Sequence, residues 1–424
     1  MALGEICNAR FRSLWAISAL SVACVLLVCA CARGRTDAGY QFESRPRSLS
    51  TVAGVEPSRF GRIALDQVSS PTVLLLSVAG SEDKSTIRVS MSEDGADTFG
   101  RPVQVSAAGA HVSAHGENAP TLLATPGFYA AWNEDGDIRF ARSLSFGSTF
   151  EKPIGIRDRK GKFFSGYVSI AVSPNQDVYA VWLDTRDSIH HNDTFSIYIA
   201  RSTDHGASFG PNIRVASHVC ECCRPGLAFG PNGELMVFYR AIYPDHARDM
   251  TVAVSRDGGA HFDPAMALAG EHWVLDGCPD SGITTARSGG RLFAAWLSEP
   301  DAKRSGIHFT WTDDGGKSWA PDTLASQDVL DANYPSLADA PDGRVAMVFV
   351  GRSPHAAKDW SRMTPFVVAI DTQGGISRPE AIPGVDTSIL RPSVALGSQG
   401  RIFATWTTAH DGVTSMWLSR GRQQ

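Results

Sequence analysis

The sequence, 424 residues long, has little helical periodicity. Few segments repeat apolar residues at the spacing an amphipathic helix needs, which argues against a helix-rich fold. A large charge of one sign is also missing: the formal net charge is −5 with the signs mixed, so a nucleic-acid-binding surface is not expected. The leading apolar run, Ser13 to Val28, is too short for a membrane span. Cysteine is sparse, eight in all, and Cys7, Cys24 and Cys29 fall in the leading segment. What the chain does have is punctuation. Its 40 Gly and 23 Pro divide it into many short strand-like runs, as an all-β fold requires.

One short phrase recurs. It reads Ser-Thr-Asp-His-Gly-Ala-Ser-Phe at Ser202–Phe209, Ser-Arg-Asp-Gly-Gly-Ala-His-Phe at Ser255–Phe262 and Thr-Asp-Asp-Gly-Gly-Lys-Ser-Trp at Thr312–Trp319. Weaker copies stand at Ser92–Phe99, with Ala96 where Gly is expected, and at Ser143–Phe150, with Ser145 where Asp is expected. Each copy lies between strand-like runs and reads as a hairpin turn. The Asp accepts backbone N–H bonds within the turn, the Gly supplies a positive φ, and the aromatic folds back onto the hairpin. A strand ending in an aromatic precedes each turn, as in Phe128–Trp132, Val178–Trp182, Leu235–Tyr239, Leu292–Trp296, Val345–Phe349 and Ile402–Trp406. Val73–Ser77 fits the same slot without the aromatic. Such near-continuous apolar runs read as strands buried on both faces. A period of about 50 residues means one supersecondary unit used repeatedly. The expected fold is therefore an all-β propeller of four-stranded blades. Seven blades are expected, with six as the alternative because the first unit lacks its aromatic. The last unit runs out before its fourth strand, and a segment between Tyr40 and Thr51 is the candidate to complete it.

The recurring phrase closely resembles the Asp-box, or BNR repeat, of the sialidase superfamily, from about Pro57 to Gly421. That resemblance implies an Arg cluster for a substrate carboxylate, an Asp acid/base and a Tyr–Glu nucleophile pair. The superfamily's first Arg lies in a Phe/Tyr-Arg-Ile-Pro phrase. Phe60-Gly61-Arg62-Ile63-Ala64 is similar but for an inserted Gly and a missing Pro, and it makes Arg62 the position carried over. No motif matches the acid, the Tyr or the Glu.

The N-terminus reads as a processing segment, with Arg10 and Arg12 ahead of the apolar run. Val28-Cys29-Ala30-Cys31 resembles a bacterial lipoprotein signal with Cys31 lipidated; an ordinary secretory signal or a short anchor is the alternative. Residues 1–30 are then signal, 31–56 a lipidated tether and 57–424 the propeller, held at the bacterial cell envelope on the periplasmic or outer-membrane side, touching membrane only through the lipid.

Four cysteines remain. Cys220, Cys222 and Cys223 share the phrase Val219–Pro225, and Cys278 lies in Asp276–Pro279. Both phrases precede inner strands of adjacent units, so all four are expected near the mouth of the central channel. Disulfide bonding is one reading, with Cys278 bridged to the triplet and a second bridge, Cys222–Cys223 or Cys220–Cys222, closing within it. A thiolate site for Cu(I) or Zn(II) is the other.

Four-stranded blades put the loops before the inner strands and after the aromatic strands on one face, and loops carry function more often than scaffolds do. The first set holds His115, Glu117, Asn118, Tyr167, Arg224, Asp276, Asp280, Asn333, Tyr334 and Arg391. The second holds Glu134, Asp184, Arg186, His190, His191, Arg240, His246, Arg248, Asp249, Arg352 and His355. Arg62, Arg224, Arg240, Arg352 and Arg391 are the candidate anion clamp. Asp184, Glu134 and Asp276 are the candidate catalytic acids. Three functions stay open: a sialidase-like glycoside hydrolase, a non-catalytic propeller that binds a glycan or an anionic small molecule, and a metal or redox site on the four cysteines.

Overall fold

The aromatic strands become the second strand of each antiparallel meander, where they are sealed on both sides. Every residue of Val178–Asp184 is buried, and Trp132, Trp182, Trp296 and Trp406 are at most 1% exposed. The computed structural model describes residues 39–424, apart from 53–54, 56–57, 59, 66–71, 82, 126, 189–194, 355–361, 385–388 and 411–412. Residues 1–30, where the signal is expected, and Cys31, His190, His191 and His355 thus lie outside the described residues. Among the described residues no helix is long and apolar enough to cross a membrane.

The architecture is an all-β propeller built from four-stranded blades. Phe60–Leu65, Val73–Gly80, Ser85–Ser92 and Val103–Gln104 form one such sheet, and Thr121–Thr125, Gly127–Glu134, Asp137–Ser143 and Ile154–Gly155 the next. Ile283–Ser288 and Leu330–Asp339 open two further four-stranded sheets. A nine-stranded sheet lies between these pairs. It contains the meander from Ser165–Val172 to Ile213–Val219 and the meander from Gly226–Phe229 to Met266–Ala267. The two are joined by one register pair, Val219 with Ala241. In the last sheet Ile389–Leu396, Arg401–His410 and Val413–Gln423 are completed from the N-terminus: Tyr40 pairs with Gln423, Phe42 with Gly421, and Arg47 with Leu418. The segment expected to cover the final edge does so.

The core lies between sheets. Each major hydrophobic cluster takes residues from two successive units. Tyr129 and Phe140 meet Val178 and Trp182 in one, and Phe293 and Phe309 meet Met347 and Phe349 in another. A further cluster joins Ile63, Val73 and Leu75 to Ala395, Phe403 and Leu418, which closes the ring of first and last units. Truncating one of these large aromatics to Ala should cost about 3–5 kcal/mol.

The recurring phrases are tight turns, as expected. Ser202 Oγ accepts the Gly206 N–H at 2.8 Å, while Asp204 accepts the Ser208 N–H at 2.9 Å and the Ser208 hydroxyl at 2.6 Å. Ser255/Asp257 and Thr312/Asp314 repeat the arrangement. Hydrogen bonds from Ser208, Ser202 and the turn's amides hold the Asp204 carboxyl far below the usual carboxylate range. The two residues after each Asp sit at positive φ, which explains the glycines; Ala96 holds that conformation at φ 66°.

Candidate functional site

A cavity of about 340 Å³ lies on the axis, lined by residues of Phe60–Leu65, Thr121–Thr125, Ser165–Val172, Gly226–Phe229, Ile283–Ser288, Leu330–Asp339 and Ile389–Leu396. At one end these strands are not regular. Their ladders shift register between Gly166 and Ser169, between Asn333 and Ser336, and between Leu390 and Ser393. Each shift is a bulge that puts one large side chain into the left-handed region: Tyr167 at φ 57°, Tyr334 at 54° and Arg391 at 50°. Asp280 joins them at 43°. Bulky residues held there cost of order 1–3 kcal/mol each, and such positions cluster at functional sites. Side-chain amides support two of them: Asn118 Oδ1 accepts the Tyr167 N–H at 2.6 Å, and Asn333 Oδ1 accepts the Tyr334 N–H at 2.7 Å.

Arg62, Arg224, Arg391, Glu117 and Tyr334 line the cavity, and the Glu117 N–H donates to Asp280 Oδ1 at 3.3 Å. The charges are close enough to act on one another. Burial raises the Glu117 carboxyl and Asp280 raises it further, while Arg224, Arg391 and Arg62 pull it down. Burial also raises Asp280, against Arg391 and Arg224. Arg224 is pushed down to about 9 by burial and then by repulsion from Arg62 and Arg391. Burial raises the Tyr334 phenol, and the Arg391 guanidinium lies 6.0 Å from its ring centre. At this end three guanidinium groups thus face two carboxylates, a local excess of positive charge held out of water that an anion would neutralise. The Nε atoms of Arg62 and Arg391 are buried without a hydrogen-bond partner among the described residues. Arg224 is committed differently, its two Nη groups donating to the carbonyls of Val168 and Ala119.

Several sequence-based candidates lie elsewhere. Asp184 is wholly buried, and its oxygens accept from Trp182 Nε1, Ser165 Oγ and both the amide and the guanidinium of Arg186 at 2.8–3.0 Å. It braces its own blade and does not reach the cavity. Glu134 accepts from Trp132 Nε1 at 2.9 Å and pairs with Arg139 at 3.4 Å, the same device one blade earlier. Asp276 is exposed in the loop ahead of Cys278 and does not line the cavity. Arg352 is buried against Asp331, with Nε 2.8 Å from the carboxylate. Arg240, 1% exposed, donates to the carbonyls of Leu297 at 2.7 Å and Ser281 at 3.3 Å, behind the mouth. Asp276 aside, each of these charges has a structural partner because it sits at the outer end of an aromatic strand or in a flanking loop. The cavity is lined by first strands and by Gly116, Glu117 and Ala119 just ahead of one of them. Glu117 and Tyr334 line its mouth, with Asp280 bonded to the Glu117 amide, while Asp339, the last residue of Leu330–Asp339, lines it further along. The sequence signal of Glu117, Asp280 and Tyr334 was position: each stands just before, or at the bulge of, an inner strand.

The cysteines do cluster beside this mouth. Cys222 is bridged to Cys278, and Cys220 and Cys223 are free and buried. A bridge from Cys222 to Cys223 or to Cys220 is excluded in this state because Cys222 is already bonded. The bridge ties together the two loops that carry Arg224 and Asp280. Arg248 supports the second loop, donating to the carbonyls of Leu275 and, at 2.9 Å, Gly277.

Fold and turns together define a propeller of BNR repeats. The chain belongs to the family described as the BNR repeat-like domain, whose pattern matches residues 65–347. No curated protein matches the chain. Among solved structures, a protein of unknown function from Dyadobacter fermentans aligns at a TM-score of 0.51 with 12% identity, over 91% of this chain and 100% of that one. A family PL25 ulvan lyase bound to -[GlcA(1-4)Rha3S]- aligns at 0.53 with 11% identity, over 87% and 95%. A Trypanosoma rangeli sialidase in complex with the inhibitor DANA aligns at 0.48 with 12% identity, over 91% and 60%.

Proposed function

We propose that this propeller binds a carboxylate-bearing sugar at the mouth of its central cavity and hydrolyses the glycosidic bond. The observation that carries the reading is the convergence of Arg62, Arg224 and Arg391 on one cavity that Glu117 and Tyr334 also line, with Asp280 hydrogen-bonded to the Glu117 amide beside it. Arginine forks match carboxylate geometry, and the unpartnered Nε atoms of Arg62 and Arg391 leave donors for it. Asp280, raised by burial, is suited to protonate the leaving oxygen. Tyr334, with Glu117 beside it, is placed to attack the anomeric carbon, a role tyrosine takes in sialidases. The set replaces Asp184, Glu134 and Asp276 as the candidate chemistry. We also count the nine-stranded sheet as two blades, giving seven, and place the protein outside the cytoplasm, tethered through a lipid on Cys31.

A non-catalytic binder is the second reading, favoured by the commitment of Arg224 to two backbone carbonyls. Turnover of a fluorogenic panel of sialosides and uronic-acid glycosides tests both. Hydrolysis lost in Asp280→Asn, with ligand still bound, supports the hydrolase. Binding on an acidic-glycan array without turnover, weakened about tenfold or more in Arg391→Ala, supports the binder. Neither turnover nor binding overturns the acidic-sugar reading.

A further inference from the structure

The cysteine cluster holds a disulfide and a dithiol in contact. Cys220 Sγ lies 3.7 Å from Cys222 Sγ, which is bonded to Cys278, and 3.4 Å from Cys223 Sγ. Cys220 and Cys223 are separated by two residues, the Cys-x-x-Cys spacing of dithiols that cycle between thiol and disulfide. Both are buried, 1% and 3% exposed. Arg240 is the cation acting on both sulfurs, and its Nε and Nη1 are buried without a partner among the described residues. Backbone N–H groups reinforce it: that of Cys222 donates to the Cys220 sulfur, that of Ser281 to Cys223, and that of Asp280 to Cys222 Sγ at 3.3 Å. Glu221 opposes the cation at Cys220. The two thiols are therefore unequal. The S–H of Cys223 donates to Cys220 and favours the Cys220 thiolate, whereas burial and that same donated bond keep Cys223 protonated. A thiolate in contact with a disulfide, beside a second thiol that can displace it, has the parts of an exchange site.

We propose that Cys220 and Cys223 form a redox-active dithiol whose exchange partner is the Cys222–Cys278 disulfide. Cys220 gives its proton to solvent and its thiolate attacks Cys222 Sγ. The Cys220–Cys222 bond forms, the Cys222–Cys278 bond breaks, and the electron pair leaves on Cys278, which takes up a proton. Cys223 then loses its proton and attacks Cys220 Sγ. The Cys220–Cys223 bond forms, the Cys220–Cys222 bond breaks, and the pair leaves on Cys222, which is protonated in turn. Cys220 and Cys223 are oxidised by two electrons, Cys222 and Cys278 are reduced by two, and no outside reactant is consumed. The exchange replaces a bridge between two loops with a bridge inside one. The loop of Asp280 is released from the loop of Arg224, and a thiol appears at Cys278, on the exposed side of the cluster. A site binding one metal through all four thiolates is the competing use of these residues, but the bridge already occupies two of the sulfurs.

The test takes the purified protein, set to one disulfide per chain with a limiting phosphine, in chelator. Samples held at pH 6 or pH 8 are acid-quenched, labelled with N-ethylmaleimide in denaturant and mapped by peptide mass spectrometry. The expected result is a Cys220–Cys223 peptide and labelled Cys278, appearing faster at pH 8. Cys220→Ser should lower Cys278 labelling about tenfold or more, since the attacking thiolate is gone. Cys223→Ser should stall the reaction at the Cys220–Cys222 mixed disulfide. Cys278 that stays unlabelled in the wild type, or is labelled equally in Cys220→Ser, overturns the proposal. So does a parallel sample without chelator in which stoichiometric zinc or copper blocks labelling until it is stripped, which would establish a metal site instead. The wild-type time course decides the matter if the serine variants fail to fold.

Discussion

Replacing Asp184 by Ala separates a structural carboxylate from a catalytic one. The side chain accepts from Ser165 Oγ and Trp182 Nε1 at 2.8 Å, and from the Arg186 N–H, Nε and Nη2 at 2.8, 3.0 and 2.9 Å, all in a fully buried setting. Removing it strands the indole N–H and leaves the Arg186 guanidinium without its main counter-charge. Breaking one side of a buried pair costs about 3–5 kcal/mol. Arg186 keeps Asp158 at 2.9 Å, Asn212 at 3.0 Å and the face of Tyr198 at 4.1 Å, so the loss belongs at the low end of that range. For a domain of this size that is a fall in melting temperature of about 4–5 °C, read by calorimetry, with a matching drop in the urea midpoint. Asp184→Asn should cost nearly as much, because its NH₂ would face donors. Asp280→Asn should leave the melt close to wild type and act on turnover. An Asp184→Ala protein that melts like wild type but no longer binds or cleaves an acidic sugar would refute this assignment and return Asp184 to the chemistry.

Other perturbations follow from the same contacts. Gly206→Ala should destabilise by more than about 1 kcal/mol, since φ is +83° and the new Cβ would lie 2.7 Å from the Phe140 ring; Gly233→Ala, at φ +87° with nothing within 4 Å, should cost less, as paired urea titrations would show. His308 is buried against Glu271 at 2.8 Å and Asp322 at 2.7 Å; burial disfavours its charge, but the bonds to Asp322 and Glu271 prevail and lift it to about 9 from 6.5. Its stabilisation is therefore complete below pH 6.5 and is lost as pH rises through 9, a decline of about 3 kcal/mol that His308→Gln should abolish in a pH series of urea melts. Gly116→Ala should weaken ligand binding more than stability, because at φ +56° its Cβ would press within 3.1 Å of Asp280 Oδ1; calorimetric titration beside a thermal melt reads both.

The fold was legible because it rests on local chemistry repeated many times. The Ser-x-Asp-x-Gly turns and the apolar strands ending in Trp or Tyr each state their conformation within eight residues, and the hydrogen bonds of Asp204, Asp257 and Asp314 reproduce one another. The site was only partly legible. Arg62, Arg224 and Arg391 could be picked out because a Pro or an Ile fixes their slot. Asp184 and Glu134 stand two residues after a buried Trp, and that spacing is what lets the indole N–H reach the carboxylate. Read from sequence the spacing looks like a loop acid; in three dimensions it is a brace. Asp280 and Glu117 gain their character from residues far off in the chain, the Glu117 amide reaching Asp280 across 163 positions. The disulfide partner choice likewise depended on which sulfur of the triplet faces Cys278.

The hydrogen-bonded pairing of Tyr40 with Gln423 also sets an order of events. A chain emerging from its N-terminus must keep its first strand waiting until the last dozen residues are made. Until then the nascent molecule is an open arc with two bare rims, one beside Phe60–Leu65 and one beside Arg401–His410. Such rims invite pairing with another chain. The final clasp is thus both the latest contact to form and the one that retires the aggregation hazard. Any fusion or tag that delays the N-terminal strand should be felt first as lost yield rather than as an altered native state.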